Sequence, residues 1–180
     1  MKNNPVLALV GSSGVGKTTL LMEVLREMPD QVFPVRVHTN RAKRGPEDDI
    51  FCKFVTAEQI TAMMRQGELA QYLEYGNNVY GCAKADIDWA IEQGIGAQAF
   101  VQTGVMDLRN AGYEVLPVKI TSDRRAVEDN FRRAADLERA KLPLDYILAL
   151  HNSFEAGGLQ KTVGQLTSLI NSLIKAKLKP

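Results

Sequence analysis

The run Gly11-Ser12-Ser13-Gly14-Val15-Gly16-Lys17-Thr18 constrains this chain more than any other feature. It fits G-x-x-x-x-G-K-[ST], in which glycine backbones let successive N–H groups converge on phosphate oxygens and the following helix adds its positive N-terminal end. Such a loop needs a strand ending just before it and a helix starting within it. Val6 to Val10 is a short apolar run bounded by turn residues, as expected of a strand buried in a parallel sheet. Thr18 to Met28 places Leu20, Leu21, Val24, Leu25 and Met28 on one helical face, and Pro29 stops it. This context implies a nucleoside-triphosphate site. Gly11 to Thr19 would surround the phosphates, Lys17 would reach the β and γ groups, and the Thr18 hydroxyl would ligate Mg²⁺.

Segments of strand and helix character alternate from end to end, which predicts an α/β fold with a mainly parallel sheet. A length of 180 residues suits one domain and is enough to bury a core without staples. With only two cysteines, Cys52 and Cys82, a disulfide scaffold is excluded and a reducing, cytoplasmic setting is expected. Lys and Arg number 22 against 21 Asp and Glu, and a formal charge of +1 argues against a nucleic-acid partner. No apolar run approaches the roughly 18 residues of a membrane helix, and Val6 to Val10 is too short for a signal peptide.

Phe33, Val35 and Val37 alternate with other residues, which predicts a strand up to about His38. Thr39 to Asp49 is polar, charged and broken by Gly45-Pro46, and reads as a loop. Thr56 and Gln59 fit a capping box for a helix that Gly67 ends. Leu69 to Tyr75 and Val79 to Cys82 flank Gly76-Asn77-Asn78 as a hairpin. Helices over about 84–93, 124–141 and 158–175, and strands over 97–103, 115–120 and 146–150, complete the reading. Trp89 is expected in the core with Ile87 and Ile91, and Met63-Met64 in helix packing. His38 and His151 have no metal-ligand spacing and are expected in structural roles. Asp107 is the only acid just beyond the middle strand, hence the one candidate there for a magnesium role.

Arg41, Arg44 and Glu47 stand as R-x-x-R-x-x-E in the polar loop. Two guanidinium forks suit a phosphomonoester, because arginine binds phosphate bidentately; a solvated charge run is the alternative. Thr39-Asn40-Arg41-Ala42-Lys43-Arg44 resembles the T-T-R-x-x-R segment of guanylate kinases, with Glu47 at that family's spacing. Tyr80-Gly81 resembles the Y-G after their substrate-binding hairpin, and Asp145-Tyr146 through His151-Asn152 resembles their D-Y-x-x-x-x-N. The resemblance covers nearly the whole chain. It implies a P-loop NTPase fold of three layers around a central parallel sheet. By the same resemblance the chain is a single kinase domain with a core of about 1–38 and 86–180, a nucleoside-monophosphate-binding insertion of about 39–85 and a short lid within about 122–144. The implied activity is ATP- and Mg²⁺-dependent phosphoryl transfer to a nucleoside monophosphate, GMP being the family's default. Lys17, Arg41 and Arg133 would be catalytic, with Arg132 beside the last. Arg41, Arg44, Gln71, Tyr80, Cys82 and Thr103 would line the acceptor, and Asn152 would lie at the ATP base. The implied partners are small-molecule nucleotides, with no nucleic acid or membrane, for a monomer or homodimer.

The pieces that handle phosphate match the family, whereas those that read the base are altered. Gln71 stands where the family has a guanine-reading Glu; a carboxylate accepts two N–H bonds from a guanine edge, and an amide offers one acceptor and one donor group. Glu74, three residues along the same strand, is expected on the opposite face. Cys52 falls at the family's tyrosine after the Arg loop, Cys82 at its serine after Y-G, and Val101-Gln102-Thr103 at its acidic D-x-D. Two other readings therefore stay open. One is a kinase of a phosphorylated sugar such as ribose 1,5-bisphosphate. The other is a non-catalytic nucleotide- or protein-binding module on the same scaffold.

Overall fold

A computed structural model describes residues 4–123, 138 and 141–177. Strand β1 (Val6–Val10) is buried along its whole length because helices cover the sheet on both sides. It is followed by α1 (Lys17–Glu27) and β2 (Val32–Pro34). Later in the chain come α4 (Lys84–Gln93), β7 (Ile95–Ala99), α5 (Gln102–Asn110), β8 (Val115–Thr121), β9 (Leu148–His151) and α6 (Gly158–Lys177). The five strands stand in the order β2-β7-β1-β8-β9, and every pair is parallel. Side chains of β1 alternate between two cores. Leu7 and Leu9 pack with Leu20, Leu21 and Val24 of α1 and Leu166 and Ile170 of α6. Val6, Ala8 and Val10 pack with Ile87, Ala90 and Ile91 of α4 and Val105 and Leu108 of α5. This is the expected three-layer α/β architecture.

Residues 37–83 build a second sheet from β3 (Val37–Thr39), α2 (Asp48–Phe51), β4 (Cys52–Phe54), α3 (Ala57–Arg65), β5 (Leu69–Tyr75) and β6 (Asn78–Ala83). Its strand order is β4-β3-β6-β5, with β3 parallel to β4 and antiparallel to β6. The capping box forms as read: Thr56 Oγ1 accepts from Gln59 N, and Gln59 Oε1 accepts from Thr56 N. Gly67, at φ 71°, closes α3 with its N–H on Met64 O and the Glu68 N–H on Met63 O. The β5–β6 hairpin turns on Gly76-Asn77, with Gly76 at φ 61° and Tyr75 paired to Asn78.

Four expectations are corrected. The strand read through Phe33–His38 is two strands in two sheets, since β2 pairs with β7 whereas β3 pairs with β4 and β6. Apolar alternation serves two short strands as well as one long one. The chain crosses at Val35, whose N–H bonds Ala97 O and whose carbonyl accepts from Gln98 Nε2 at 2.7 Å. The strand read over 97–103 ends at Ala99, and Thr103 lies in the first turn of α5. A bare Gly104 lets that helix approach Phe100 and Gln71, with built-Cβ distances of 3.3 and 3.7 Å. Trp89 is 52% exposed, because Ile87 and Ile91, four apart, share the inward face and the residue midway between them points away. Its ring instead meets Phe33 edge-on at 6.0 Å on the surface. Met64 is likewise exposed. The helix read over 124–141 lies almost wholly outside the described residues, of whose helices none is long and apolar enough to cross a membrane.

Gln98 joins the two sheets. Its Nε2 donates to Val35 O and also to Phe51 O at 3.2 Å, and its Oε1 accepts from Ala99 N at 2.7 Å. Gln98→Met keeps the volume and strands these buried groups, each costing about 1–3 kcal/mol when unpaired. Denaturant unfolding is expected to show a total loss of about 3 kcal/mol or more; a loss below 1 kcal/mol would contradict the joining role.

Candidate active site

Beyond β1 the chain turns through Gly14 and Gly16, at φ 84° and 88°, into α1. A Cβ on Gly11 would run into the Ile120 carbonyl oxygen of β8, and one on Gly16 would stand 2.5 Å from Asn152 Nδ2. Glycine is thus required at both positions by space, and at Gly16 by conformation as well. Buried Val15 pins the loop to the core, while Ser12, Gly14, Thr18 and Thr19 stay exposed and Ser13 is half-buried. Lys17 opens α1 and folds its Nζ back onto Gly11 O at 2.6 Å and Ser12 O at 2.8 Å. The Thr18 hydroxyl stands exposed in the first helical turn, where a Mg²⁺ that draws its other ligands from water and phosphate oxygens fits it. Among the described residues no group of three or more His, Cys, Asp or Glu side chains could hold a metal by itself.

Strand register gathers most of the expected acceptor residues on one face of the second sheet. Cys52, Val37, Cys82 and Gln71 form one rung, and Phe54, Thr39, Tyr80 and Leu73 the next. Buried Gln71 lies against Gly104, one residue from half-buried Thr103 in the first turn of α5. Glu74 is on the opposite face, exposed, accepting from Tyr72 Oη at 2.8 Å. Cys82 does not reach the surface: it is fully buried among Val35, Ile87 and Phe100, and burial pushes its thiol pKa up.

Arg41 folds onto that face, with its guanidinium 5.7 Å from the centre of the Phe54 ring. Its two terminal nitrogens donate to Asp48 as a fork, at 2.7 and 2.6 Å, and also to Ala42 O at 2.9 Å and Cys52 Sγ at 3.5 Å. Asp48 accepts a third bond from Arg44 N at 2.7 Å. Both side chains of the pair are 10% exposed. The Arg41 hydrogen bonds, with Arg44 N adding to them, draw the Asp48 carboxyl down to about 2. The Arg41 fork, expected for an acceptor phosphate, is therefore filled by an internal carboxylate. Asp48 can reach it because the short helix α2, anchored by buried Phe51, turns the chain back beneath Arg41. Arg44 keeps an exposed side chain that makes no ion pair among the described residues. Glu47, the acid that the spacing singled out, turns its carboxylate over Gly45 instead. Asp48 had no motif to flag it beyond being an acid seven residues past Arg41.

Other candidates fall elsewhere. Asn152 is 3% exposed; its N–H bonds Thr121 O at 2.8 Å and its Nδ2 donates to Val15 O at 2.9 Å. Its Nδ2 thus braces the phosphate loop, while its Oδ1 is buried and accepts no hydrogen bond among the described residues. His38 is buried on the far face of the second sheet, its Nδ1 3.7 Å from Asp86, which Lys53 grips at 2.6 Å. Burial lowers the His38 pKa against the opposing pull of Asp86. His151 ends β9 with its Nε2 3.0 Å from Asp123. β7 carries no acid at its end, and Asp107 lies within α5, its carboxyl pKa raised by burial. Arg132 and Arg133 lie outside the described residues.

A glycine-rich loop leaving the central strand of a parallel three-layer sheet, with a lysine at the mouth of the following helix, defines a P-loop NTPase fold. Within that class, the family model for guanylate kinase matches residues 2–145, and the chain belongs to the guanylate kinase family. Guanylate kinase from Anaeromyxobacter dehalogenans (strain 2CP-C) is 39% identical over 90 residues, which are 49% of this chain and 39% of that protein. Guanylate kinase from Trichodesmium erythraeum (strain IMS101) is 35% identical over 94 residues, 52% of this chain and 50% of that protein. The chain thus aligns with half or less of the length of these relatives. The crystal structure of guanylate kinase from Anaplasma phagocytophilum superposes with a TM-score of 0.67 at 16% identity, covering 94% of this chain and 86% of that one. At that identity the likeness is one of fold.

Removing one partner of a buried pair leaves the other charge uncompensated, at about 3–5 kcal/mol. Arg41→Ala and Asp48→Ala are each expected to destabilise by about 3 kcal/mol, and the double variant by little more than either. Because the folded-state carboxyl sits near 2 against an ordinary 3.8, the pair stabilises fully above about pH 4 and is lost as the pH falls towards 2. The stability gap between the wild type and Asp48→Asn should accordingly shrink between neutral pH and about pH 2.5. Additive losses, or a gap independent of pH, would refute the pairing.

Proposed function

We propose that this protein transfers the γ-phosphoryl group of ATP to a nucleoside monophosphate, with GMP as the default acceptor of its family. The observation that carries the reading is one shared face. Gln71, Tyr80 and the Arg41–Arg44 loop lie on the same side of the second sheet, and Gln71 meets α5 beside β7, the neighbour of the strand that feeds the P-loop. An acceptor held there would approach the phosphates from the β7 flank. Its phosphate is already ionised at neutral pH, so transfer needs positioning and charge stabilisation rather than a general base. Lys17 and the loop N–H groups would stabilise charge on the transferred group. Mg²⁺ arriving with ATP would be held by the Thr18 hydroxyl and would neutralise charge on the β and γ oxygens.

Arg44 and Tyr80 would meet the acceptor phosphate, and Arg41 would shape their loop through Asp48. Gln71 and Thr103 would line the acceptor pocket, and Cys82 would pack behind it. Arg133, with Arg132 beside it, would supply a cation from a lid within about 122–144. Residues of about 39–85 would form the acceptor-binding region of a single kinase domain. A phosphorylated sugar such as ribose 1,5-bisphosphate is the second reading, favoured by Gln71: an acceptor without a base needs no guanine-reading carboxylate. A coupled assay of ATP consumption against GMP, AMP, dGMP, UMP and ribose 1,5-bisphosphate separates the two.

Lys17→Ala should abolish transfer while leaving the thermal unfolding midpoint near that of the wild type, since its half-buried side chain donates to the loop carbonyls Gly11 O and Ser12 O rather than packing in the core. Retention of most activity would remove the kinase reading. With an amide at the base-reading position, discrimination between GMP and AMP is expected to be weak. Gln71→Glu should shift it towards GMP by about 10-fold, about 1.4 kcal/mol, as for one added pairing in a partly buried site. Values of kcat/KM for both nucleotides in both proteins decide this; a wild type already strict for GMP and indifferent to the substitution would place guanine reading elsewhere.

A further inference from the structure

We propose that a cavity of about 360 Å³ on the second sheet binds a small organic carboxylate, held by His38, Lys84 and the N-terminal end of α4. It lies on the face of that sheet opposite Gln71 and Tyr80 and does not depend on the nucleotide reading. Register sets His38 of β3 beside Lys53 of β4, and α4 begins next to them, with Asp86 touching Lys53. His38 is the buried wall of the cavity. It is 8% exposed, and its Nδ1 has no hydrogen-bond partner among the described residues. Asp86 Oδ2 stands 3.7 Å from that nitrogen, beyond hydrogen-bond reach. A buried ring nitrogen beside open space calls for a partner within that space.

Donors line the same cavity. No side chain caps α4, and Ala85 and Asp86 are among the first four residues, whose N–H groups lack intrahelical partners. Lys84 Nζ donates to Gly67 O at 2.8 Å and Lys53 Nζ to Asp86 Oδ1 at 2.6 Å, whereas an ammonium carries three donors. The lysines are balanced by Glu68 and Asp86, so the lining is neutral while the imidazole is neutral. Burial holds the His38 pKa below its ordinary value; Lys53 adds to this, and Asp86 and Glu68 oppose it. Protonation of His38 would bring the lining to one net positive charge and make Nδ1 a donor, which suits a monoanion. Met63, Ala83 and Ala85 add apolar contact for a short carbon chain, which a carboxylic acid has and free phosphate lacks.

Titration of the full chain with sodium butyrate, followed by the C2–H proton resonances of its two histidines, tests this, with His151→Gln to assign them. Butyrate should move the His38 resonance saturably and leave His151 in place. At saturation the His38 pKa should rise by about one unit, because a bound anion favours the imidazolium. By linkage, butyrate should bind more tightly at about pH 6 than at about pH 8. Lys84→Met should weaken binding by about fivefold, as for one charge-assisted hydrogen bond lost at an exposed position. The proposal would be overturned by no saturable movement of His38, or by an equal movement with butyramide or n-butylammonium. Tighter binding of inorganic phosphate, or an unchanged affinity in Lys84→Met, would overturn it too. None of these outcomes bears on the phosphate loop, so the kinase reading stands or falls separately.

Discussion

All five residues of β1 are at most 1% exposed between two layers of helix, so no side chain of that strand is available for chemistry. Its burial, at about 1.5–3 kcal/mol for each large apolar side chain, holds the strand at the centre of the sheet. Chemistry is displaced to the loop that leaves its end. That loop is held by contact with its neighbours: Gly11 against the β8 backbone, Val15 in the core, Gly16 against Asn152. The order β2-β7-β1-β8-β9 gives the loop two unlike flanks, one leading to the second sheet and one to the β9–α6 turn.

Two polar contacts fix the second sheet. Gln98 reaches from β7 to Val35 O and Phe51 O, at the two ends of the segment that carries Arg41 and Arg44. Asp48 closes the same segment upon itself through the Arg41 fork and Arg44 N. Buried polar groups are costly unless fully paired, so these contacts specify geometry more than they add stability. Geometry is what the proposed acceptor role of this segment would need, because a phosphate misplaced by about 1 Å forfeits much of the gain from positioning.

The two faces of the second sheet serve different ends. One collects Gln71, Tyr80 and the arginine loop. The other packs Ile60 and Leu69 around Gly81 and pairs His38, Asp86 and Lys53 beside a cavity of about 360 Å³. Because side chains alternate along a strand, His38 is kept off the face of Gln71 and Tyr80 although Thr39, next to it, belongs to that face.

Legible in the sequence were the features with local causes. The phosphate loop, β1 and α1, the Thr56 capping box, the Gly67 stop and the hairpin all depend on residues within a few positions of one another, and all form as read. Register on β5 also follows from alternation, which is why Gln71 and Glu74 part to opposite faces. What the tertiary structure alone decided depends on partners distant in the chain or on a choice among equals. Alternation at Phe33, Val35 and Val37 does not say which sheet each joins; Gln98, 63 residues beyond Val35, helps to decide it. Trp89 is outside because its helix had one inward face to give and Ile87 and Ile91 took it. Arg41 met Asp48 rather than open solvent because α2 turned the chain back, and the Asn152 amide went to the phosphate loop because Val15 O, 137 residues away, was brought beside it. Arginine and asparagine types announce what a side chain can bind; only the folded chain settles which of its own groups has bound it already.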